Sequence, residues 1–445
     1  MSPTAKKSNR ARITCNVIAL GVVSLFNDAA SEMIYPLIPI FITFLGSTAV
    51  ILGIIEGVAE TTAAMLKLVS GIISDKIGKR KVLVVIGYGI SSLIRPFTGV
   101  VSSAWQIVFI RMIDRVGKGI RTAPRDTLIA SSIDDRIRGK AFGLHRAMDH
   151  AGAVIGPLLA LLALIIFVLV FHTQDTVVII RRTFLLTFIP GLLALFTLFI
   201  FVQEKAVSVS SVKKLDFSLK QFDKNFLNYL AIVTLFTLGN SSDAFLLFRV
   251  QETLHHSNTI YSIIYKLPVV GDMLRNFSDP QAQKNLIDIF IIPLIWAFFH
   301  IVKVIFSTHL GALSDKIGRK IVINRGWAIY AFVYLSFALI DRLSDDIQII
   351  MTLILFAIYA LYYAFIEGAE KALVVDIVKP EQRGSAFGLF NFATGLAALP
   401  ASVIFGLLYN QYGALAAFGS GALIAAISML LLMNFVKEPS KSTDR

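Results

Sequence analysis

The stretch Gly71–Lys81, GIISDKIGKRK, governs the reading of this chain, because it returns at Gly311–Lys320 as GALSDKIGRK, 240 positions later. Each copy follows a long apolar run and precedes another. A Gly, Asp and Lys/Arg pattern repeated between hydrophobic segments means that the chain was built twice. Such a repeat sets the frame before any local feature does.

Composition bounds the class. Of 445 residues, 56% are hydrophobic and 16% charged, with 34 Phe and a mean hydropathy of +0.73. A soluble domain carries about 25% charged residues, and here apolar runs of about 20 residues recur throughout. These features exclude a soluble protein and predict a polytopic helical membrane protein embedded in a lipid bilayer. A net charge of +13 would suggest nucleic acid in a soluble chain. Here its distribution among loops carries the information, and no nucleic-acid partner is expected. Cys15 is the only cysteine, so no intrachain disulfide can form. The opening MSPTAKKSNRAR has the outline of a signal peptide. The apolar run behind it continues through Leu45 with charges inside and no small-x-small cleavage site, so it reads as an uncleaved first helix.

In order, the apolar runs predict helices near 14–45, 49–71, 82–101, 105–128, 139–171 and 177–203. After a polar linker at 204–225 they resume near 226–251, 286–310, 321–341, 348–375, 384–410 and 413–436. The expected units are thus an N-terminal bundle, 1–203, the linker, and a C-terminal bundle, 226–445. Cations crowd one set of connections, among them Lys76, Lys79, Arg80 and Lys81, then Arg136, Arg138 and Lys140, then Lys316, Arg319 and Lys320. The opposite loops hold little beyond Arg181, Arg182, Lys266, Arg275, Lys284 and Arg342. Positively charged loops stay cytoplasmic. Both termini and both copies of the repeat are therefore expected on the cytoplasmic side of a bacterial cytoplasmic (inner) membrane.

The second copy is longer than the first. Asn27 to Asp75 spans 48 residues, whereas the matching interval from Asn240 to Asp315 spans 75, and the excess of 27 falls in 252–285, on the extracytoplasmic side. It is either a tolerated loop insertion or a lid or partner surface over the pathway.

The pattern G-x-x-x-D-K-x-G-[KR]-[RK] after the second and eighth spans, within a six-plus-six topology, resembles the major facilitator superfamily over nearly the whole chain. Arg115-Val-Gly-Lys118-Gly119 is similar to that family's R-x-x-Q-G, with Arg138-Gly139 following at the fifth span. Gly152-x-x-x-Gly156-Pro157 is similar to the G-x-x-x-G-P of proton-coupled antiporters, although Ala160 and Leu161 stand where that motif has glycines. The second half echoes these features, with RGSAFGL at 383–389 against RGKAFGL at 138–144.

The resemblance implies an all-α membrane protein of twelve transmembrane helices in two pseudo-symmetric six-helix bundles. It also implies that the repeated loop latches the halves together in one conformation, through Gly71, Asp75, Gly78 and Arg80 and through Gly311, Asp315, Gly318 and Arg319. Physically, each Asp follows a helix C-terminus and can pair with loop cations or accept bonds from a facing helix start. The glycines permit a tight turn.

Ionisable residues inside spans are functional candidates, since each costs a few kcal/mol unless paired or wetted. The fourth span carries Arg111, Asp114, Arg115, Lys118, Arg121 and Arg125. At about 100° per residue these six share an arc of about 120°, which cannot face lipid. The first span offers Asp28 and Glu32, the second Glu56 and Glu60, each pair four apart on one face where two carboxylates repel. Carboxylates so placed can load and release protons near neutral pH. The fifth span adds His145, Arg146, Asp149 and His150, and histidine titrates in that range too.

Two readings stay open. In one, Arg111, Arg115, Lys118, Arg121 and Arg146 bind an anionic substrate while Asp28, Glu32, Glu56, Glu60, Asp114 or Asp149 carries coupling protons. In the other, the bases only neutralise the acids. No thiolates or tetrahedral set support a metal site.

Charges are sparser in the second half: Asp243, Arg249, His300, Lys303, Glu367, Glu370 and Lys371. Glu367 and Lys371 are spaced to pair. Tyr359, Tyr362 and Tyr363 can contact a ligand, or pack.

The expectation is a monomeric secondary transporter with no cofactor, moving a small-molecule substrate by alternating access. No nucleotide motif is present, so an ion gradient, H+ for preference, would drive it. Import of a carboxylate or siderophore-like polycarboxylate and proton-driven efflux of drugs or metabolites are the alternatives. A non-transporting receptor is a third, and an enzyme is not expected, since no nucleophile–base set is recognisable.

Overall fold

The structure is a computed structural model that describes residues 13–438 apart from 78, 135–136, 205–217, 257, 267, 276 and 278. Of the two repeated motifs, Gly78 lies outside the described residues, as do the side chains of Asp75 and Asp315. Most of the expected linker lies outside them as well.

Among the described residues, ten helical stretches are long and apolar enough to cross a bilayer. Two more spans escape that count for physical reasons. The helix Ala104–Ser131 is disqualified by its charges and nevertheless forms. The helix Arg383–Phe435 has 53 residues, about 80 Å at ~1.5 Å per residue, against a hydrocarbon core of ~30 Å. It folds back at Gly413, whose φ of +79° is open to glycine at little cost.

The twelve spans are α1 (Cys15–Phe44), α2 (Ala49–Ile77), α3 (Arg80–Val100), α4 (Ala104–Ser131), α5 (Arg138–Leu169) and α6 (Thr176–Phe201). They continue with α7 (Lys224–His255), α8 (Pro280–Ile317), α9 (Arg319–Arg342) and α10 (Asp345–Ile377). The last two, α11 (383–412) and α12 (414–435), are the limbs of the broken helix.

Local chemistry sets the irregularities. A 3-10 turn at Tyr35–Leu37 bends α1, with Pro36 in it and Pro39 just beyond. Residues 240–243 interrupt α7 between two helical limbs. Ser242 Oγ then accepts from the Ala244 amide at 3.3 Å, capping the second limb.

Each half repeats one packing scheme. In the first half α1 lies on α5, α2 on α4, and α3 on α4; in the second, α8 lies on α10 and α9 on α10. The pairing of α7 with α11 completes the match through Tyr229 on Phe390 and Phe245 on Phe405. The halves meet along α2–α11 and α5–α8, which are related by the same pseudo-symmetry.

Small residues make these crossings close. A Cβ on Gly152 would stand 2.4 Å from the Leu25 carbonyl and one on Gly156 2.6 Å from that of Ala29, so the G-x-x-x-G-P of α5 is what seats it on α1.

The ends of the molecule differ. On the side of α1 and α7 away from the basic loops, the halves are joined: Gln251 donates to Thr43 at 3.2 Å, and Tyr35 and Ser242 share a hydrogen bond of 3.2 Å. At the basic-loop end the described contacts of the repeated motif stay within each half. The amides of Arg80 and Lys81, which open α3, donate to Glu204 at 3.2 and 2.7 Å. Those of Arg319 and Lys320, which open α9, donate to Glu438 at 2.7 and 3.2 Å. A carboxylate just beyond the last helix of each half thus caps the first turn of that half's third helix. Gly318 makes room for it: its φ is +104° and a Cβ would sit 2.9 Å from Glu438 Oε2.

The segment expected as an insertion is folded. It holds helices Asn258–Tyr265 and Pro268–Arg275, with Met273, Leu274 and Phe277 buried.

Candidate functional site

Between the halves lies a cavity of about 760 Å³. It is walled by α1, α2, α4 and α5, with Arg95 of α3, on one side and by α7, α8, α10 and α11 on the other. Lys67, exposed near the basic-loop end of α2, belongs to its wall, so water enters from that end.

The polar stripe of α4 can be helical because its start is well capped and its charges find partners. Ser103 Oγ accepts from the Trp105 amide, while Gln106 Oε1 accepts from Ser102 and Ser103 amides at 2.7 and 3.2 Å. Further along, Arg111 donates to Glu56 at 2.8 Å and Arg115 pairs with Glu60 at 3.5 Å. Asp114 receives Arg95 at 2.8 Å. Arg121 lies over the Tyr88 ring, 4.5 Å from its centre, and donates to Ser91 at 2.6 Å. Arg125 reaches Asp126 at 2.8 Å.

Lys118 differs from these arginines. It lines the cavity and is exposed there, and among the described residues its ammonium has no hydrogen-bond or ion-pair partner.

The four-apart carboxylates are separated by their partners. Glu56 and Glu60 face different arginines. Asp28 accepts from Asn27 at 3.0 Å and has no ion pair among the described residues. Glu32 reaches across to the other half, where Trp296 Nε1 donates to it at 2.8 Å. On α5, Asp149 sits 3.6 Å from His145 and lines the cavity.

Arg146 does not join the α4 stripe. It donates to Glu367 of α10 at 2.5 Å, and Lys303 of α8 stands 3.6 Å from the same carboxylate. Glu367 therefore pairs across the halves and with α8, rather than along its own helix with Lys371. An i,i+4 partner is only one of the cations in reach once helices pack.

In the second half, the break in α7 places Asp243 on the cavity wall. Its carboxylate accepts from Tyr359 at 2.6 Å and from Tyr363 at 3.0 Å. Tyr362 and Tyr363 border the cavity, and Tyr359 and Tyr362 are fully buried.

Reasoning from sequence passed over Arg95, Trp296 and the role of Asp243. Arg95 carried the same signal as the α4 cations, a charge inside a span. Asp243 fell inside the span expected at 226–251, which the structure breaks at Asn240–Asp243. Nothing in sequence announces that Trp296 bonds a residue 264 positions away. Among the described residues, no group of three or more His, Cys, Asp or Glu side chains could hold a metal ion.

Comparison with known proteins agrees with this architecture. The family described as Major Facilitator Superfamily matches residues 20–275 and 267–445. The chain is 34% identical over 425 residues to the MFS-type transporter MJ1317 of Methanocaldococcus jannaschii, covering 96% of each. A shorter likeness, 31% over 128 residues, links it to the multidrug resistance protein MdtH of Escherichia coli, covering 28% of this chain and 32% of that one. The crystal structure of a point mutant of the nucleoside transporter NupG superposes with a TM-score of 0.70 at 14% identity, covering 94% of this chain and 98% of that one. Topology, duplicated motif, central cavity and these matches converge: the chain belongs to the major facilitator superfamily of transporters.

Proposed function

We propose that this protein is a proton-coupled secondary transporter that moves a small organic solute bearing an anionic group by alternating access. Lys118 carries the reading. It is the cation of the α4 stripe that faces the cavity with no partner among the described residues, and a cation so placed costs a few kcal/mol unless water or a counter-charge receives it. Arg115, one turn deeper at 3.5 Å from Glu60, is the second contact.

Asp28 and Asp149, both on the wall and neither paired with Arg or Lys among the described residues, are the coupling carboxylates. The excess of cations on one set of loops supports an orientation with the open end of the cavity and both termini on the cytoplasmic side of a bacterial inner membrane. The halves 1–203 and 226–445 rock about the linker 204–225. In the opposite conformation the loop motif, with Asp75 and Asp315, would close the basic-loop end.

The test is flux into proteoliposomes under an imposed pH gradient, using organic anions selected by thermal shift on the purified chain. Gradient-driven flux that Lys118→Ala and Asp28→Asn each reduce at least tenfold supports the reading. Saturable binding without flux in any gradient overturns it in favour of a receptor.

Efflux is the second reading for the direction of transport. The likeness of a 128-residue stretch to a multidrug resistance protein favours it, and flux out of the cytoplasmic face coupled to proton entry would establish it.

A further inference from the structure

Resting on the reading of the cavity as the solute site, we propose that its closed end holds a second subsite, for a primary or quaternary ammonium, built from Glu32, His300 and the rings around them. The solute it fits carries an amine as well as an anion. His300 is the first observation. It is 8% exposed, lines the cavity, and neither ring nitrogen has a hydrogen-bond partner. A buried imidazole with both nitrogens unmet in a polar cavity wants a ligand.

The second observation is what stands beside it. Glu32 Oε2 is 3.9 Å from His300 Nε2 and, among the described residues, accepts its hydrogen bond from the neutral indole N–H of Trp296 at 2.8 Å. No arginine or lysine forms an ion pair with Glu32 among the described residues, in contrast to Glu56 and Glu60. Third, Trp296 lies between Tyr35, at 5.1 Å, and Phe299, stacked at 4.7 Å, with His300 edge-on at 4.8 Å. A carboxylate and an imidazole lone pair enclosed by these packed rings make the combination that receives an ammonium.

The charges grade along the cavity. Towards the open end the wall carries Lys67, Lys118, Arg121 and Arg125, while its further cations Arg95, Arg115 and Lys303 are paired with Asp114, Glu60 and Glu367. At the closed end, after Glu56 and Glu60 are matched by arginines, Glu32 and Asp243 remain, each held by neutral donors. A solute with its anion at Lys118 and its amine at Glu32 fits this gradient. Because Glu32 belongs to α1 and His300 to α8, the ammonium would touch both halves where they already meet, so its arrival is felt by the rocking motion.

Calorimetric titration of the purified full-length chain with alkylammonium ions from methyl- to hexylammonium, tetramethylammonium, and the ω-aminocarboxylates and plain carboxylates of the same lengths tests this. At least one ammonium-bearing probe should bind saturably, and ω-aminocarboxylates should bind at least tenfold more tightly than plain carboxylates. Glu32→Gln and His300→Ala should abolish that tenfold preference. His300→Gln, which restores an acceptor, should recover part of it, and Trp105→Phe, far from the cavity, should leave it intact. No saturable binding of any ammonium probe, or a preference that survives Glu32→Gln, overturns the subsite. The outcomes are separable from those above: driven flux of plain carboxylates alone would sink the subsite and keep the transporter, whereas ammonium binding without flux would do the reverse.

Discussion

Arg111 and Lys118 stand two turns apart on one face of α4 and do opposite work. Arg111 is 4% exposed and bonded to Glu56, itself 2% exposed. Removing one partner of such a pair strands a buried charge, at a cost of about 3–5 kcal/mol. Arg111→Met should therefore lower the thermal unfolding temperature sharply, and adding Glu56→Gln should recover most of the loss. An additive double mutant would show that the two do not act as a pair. Lys118 faces water, so Lys118→Ala should leave unfolding within a degree or two while lowering solute flux at least tenfold. A marked loss of stability would instead assign it a structural role. The shared arc was legible from spacing alone, since 100° per residue puts all six polar residues together. Which of them is spent on a neighbour was not, because Glu56, Glu60 and Arg95 arrive from other helices and no sequence interval encodes those distances. The proposed coupling role makes a further claim at this scale: Asp28→Asn should flatten the dependence of flux on pH, and an unchanged profile would remove Asp28 from proton transfer.

At the scale of elements, the sequence showed where helices lie better than how they end. The spans expected at 49–71 and 286–310 run on to Ile77 and Ile317, carrying the motif's helical part into the loop. Hydropathy marks the membrane-facing length of a helix, whereas backbone hydrogen bonding continues past it into water. The 252–285 segment is the sharper case. Read from spacing it was surplus chain, either inert or a lid or partner surface; the segment in fact buries Met273, Leu274 and Phe277. Burying each such side chain contributes about 1.5–3 kcal/mol. Deletion of 258–277 should accordingly lower the unfolding temperature by several degrees, whatever it does to flux. A deletion variant that unfolds like the parent would restore the reading as inert chain, and one that keeps its stability but loses flux would point to a lid.

For the whole molecule, the conformation described is joined at one end and open at the other. Gln251 and Thr43 hold the joined end at 3.2 Å, while Arg146, Glu367 and Lys303 bridge the halves within the cavity's polar region. If solute passes by rocking, the joined end must part in each cycle, and a covalent tie there must stop transport. The chain's only cysteine, Cys15, is exposed, so Cys15→Ser gives a clean background. Into it, Thr43→Cys and Gln251→Cys introduce a pair that a short thiol-specific cross-linker can span. Cross-linked protein should bind solute from the basic-loop side with affinity close to that of the uncross-linked form, because the cavity is already open there. It should show no net flux, and a reducible cross-linker should restore flux on cleavage. Full flux through the tied molecule would mean that the two halves do not part at this end, and alternating access about the linker would have to be abandoned.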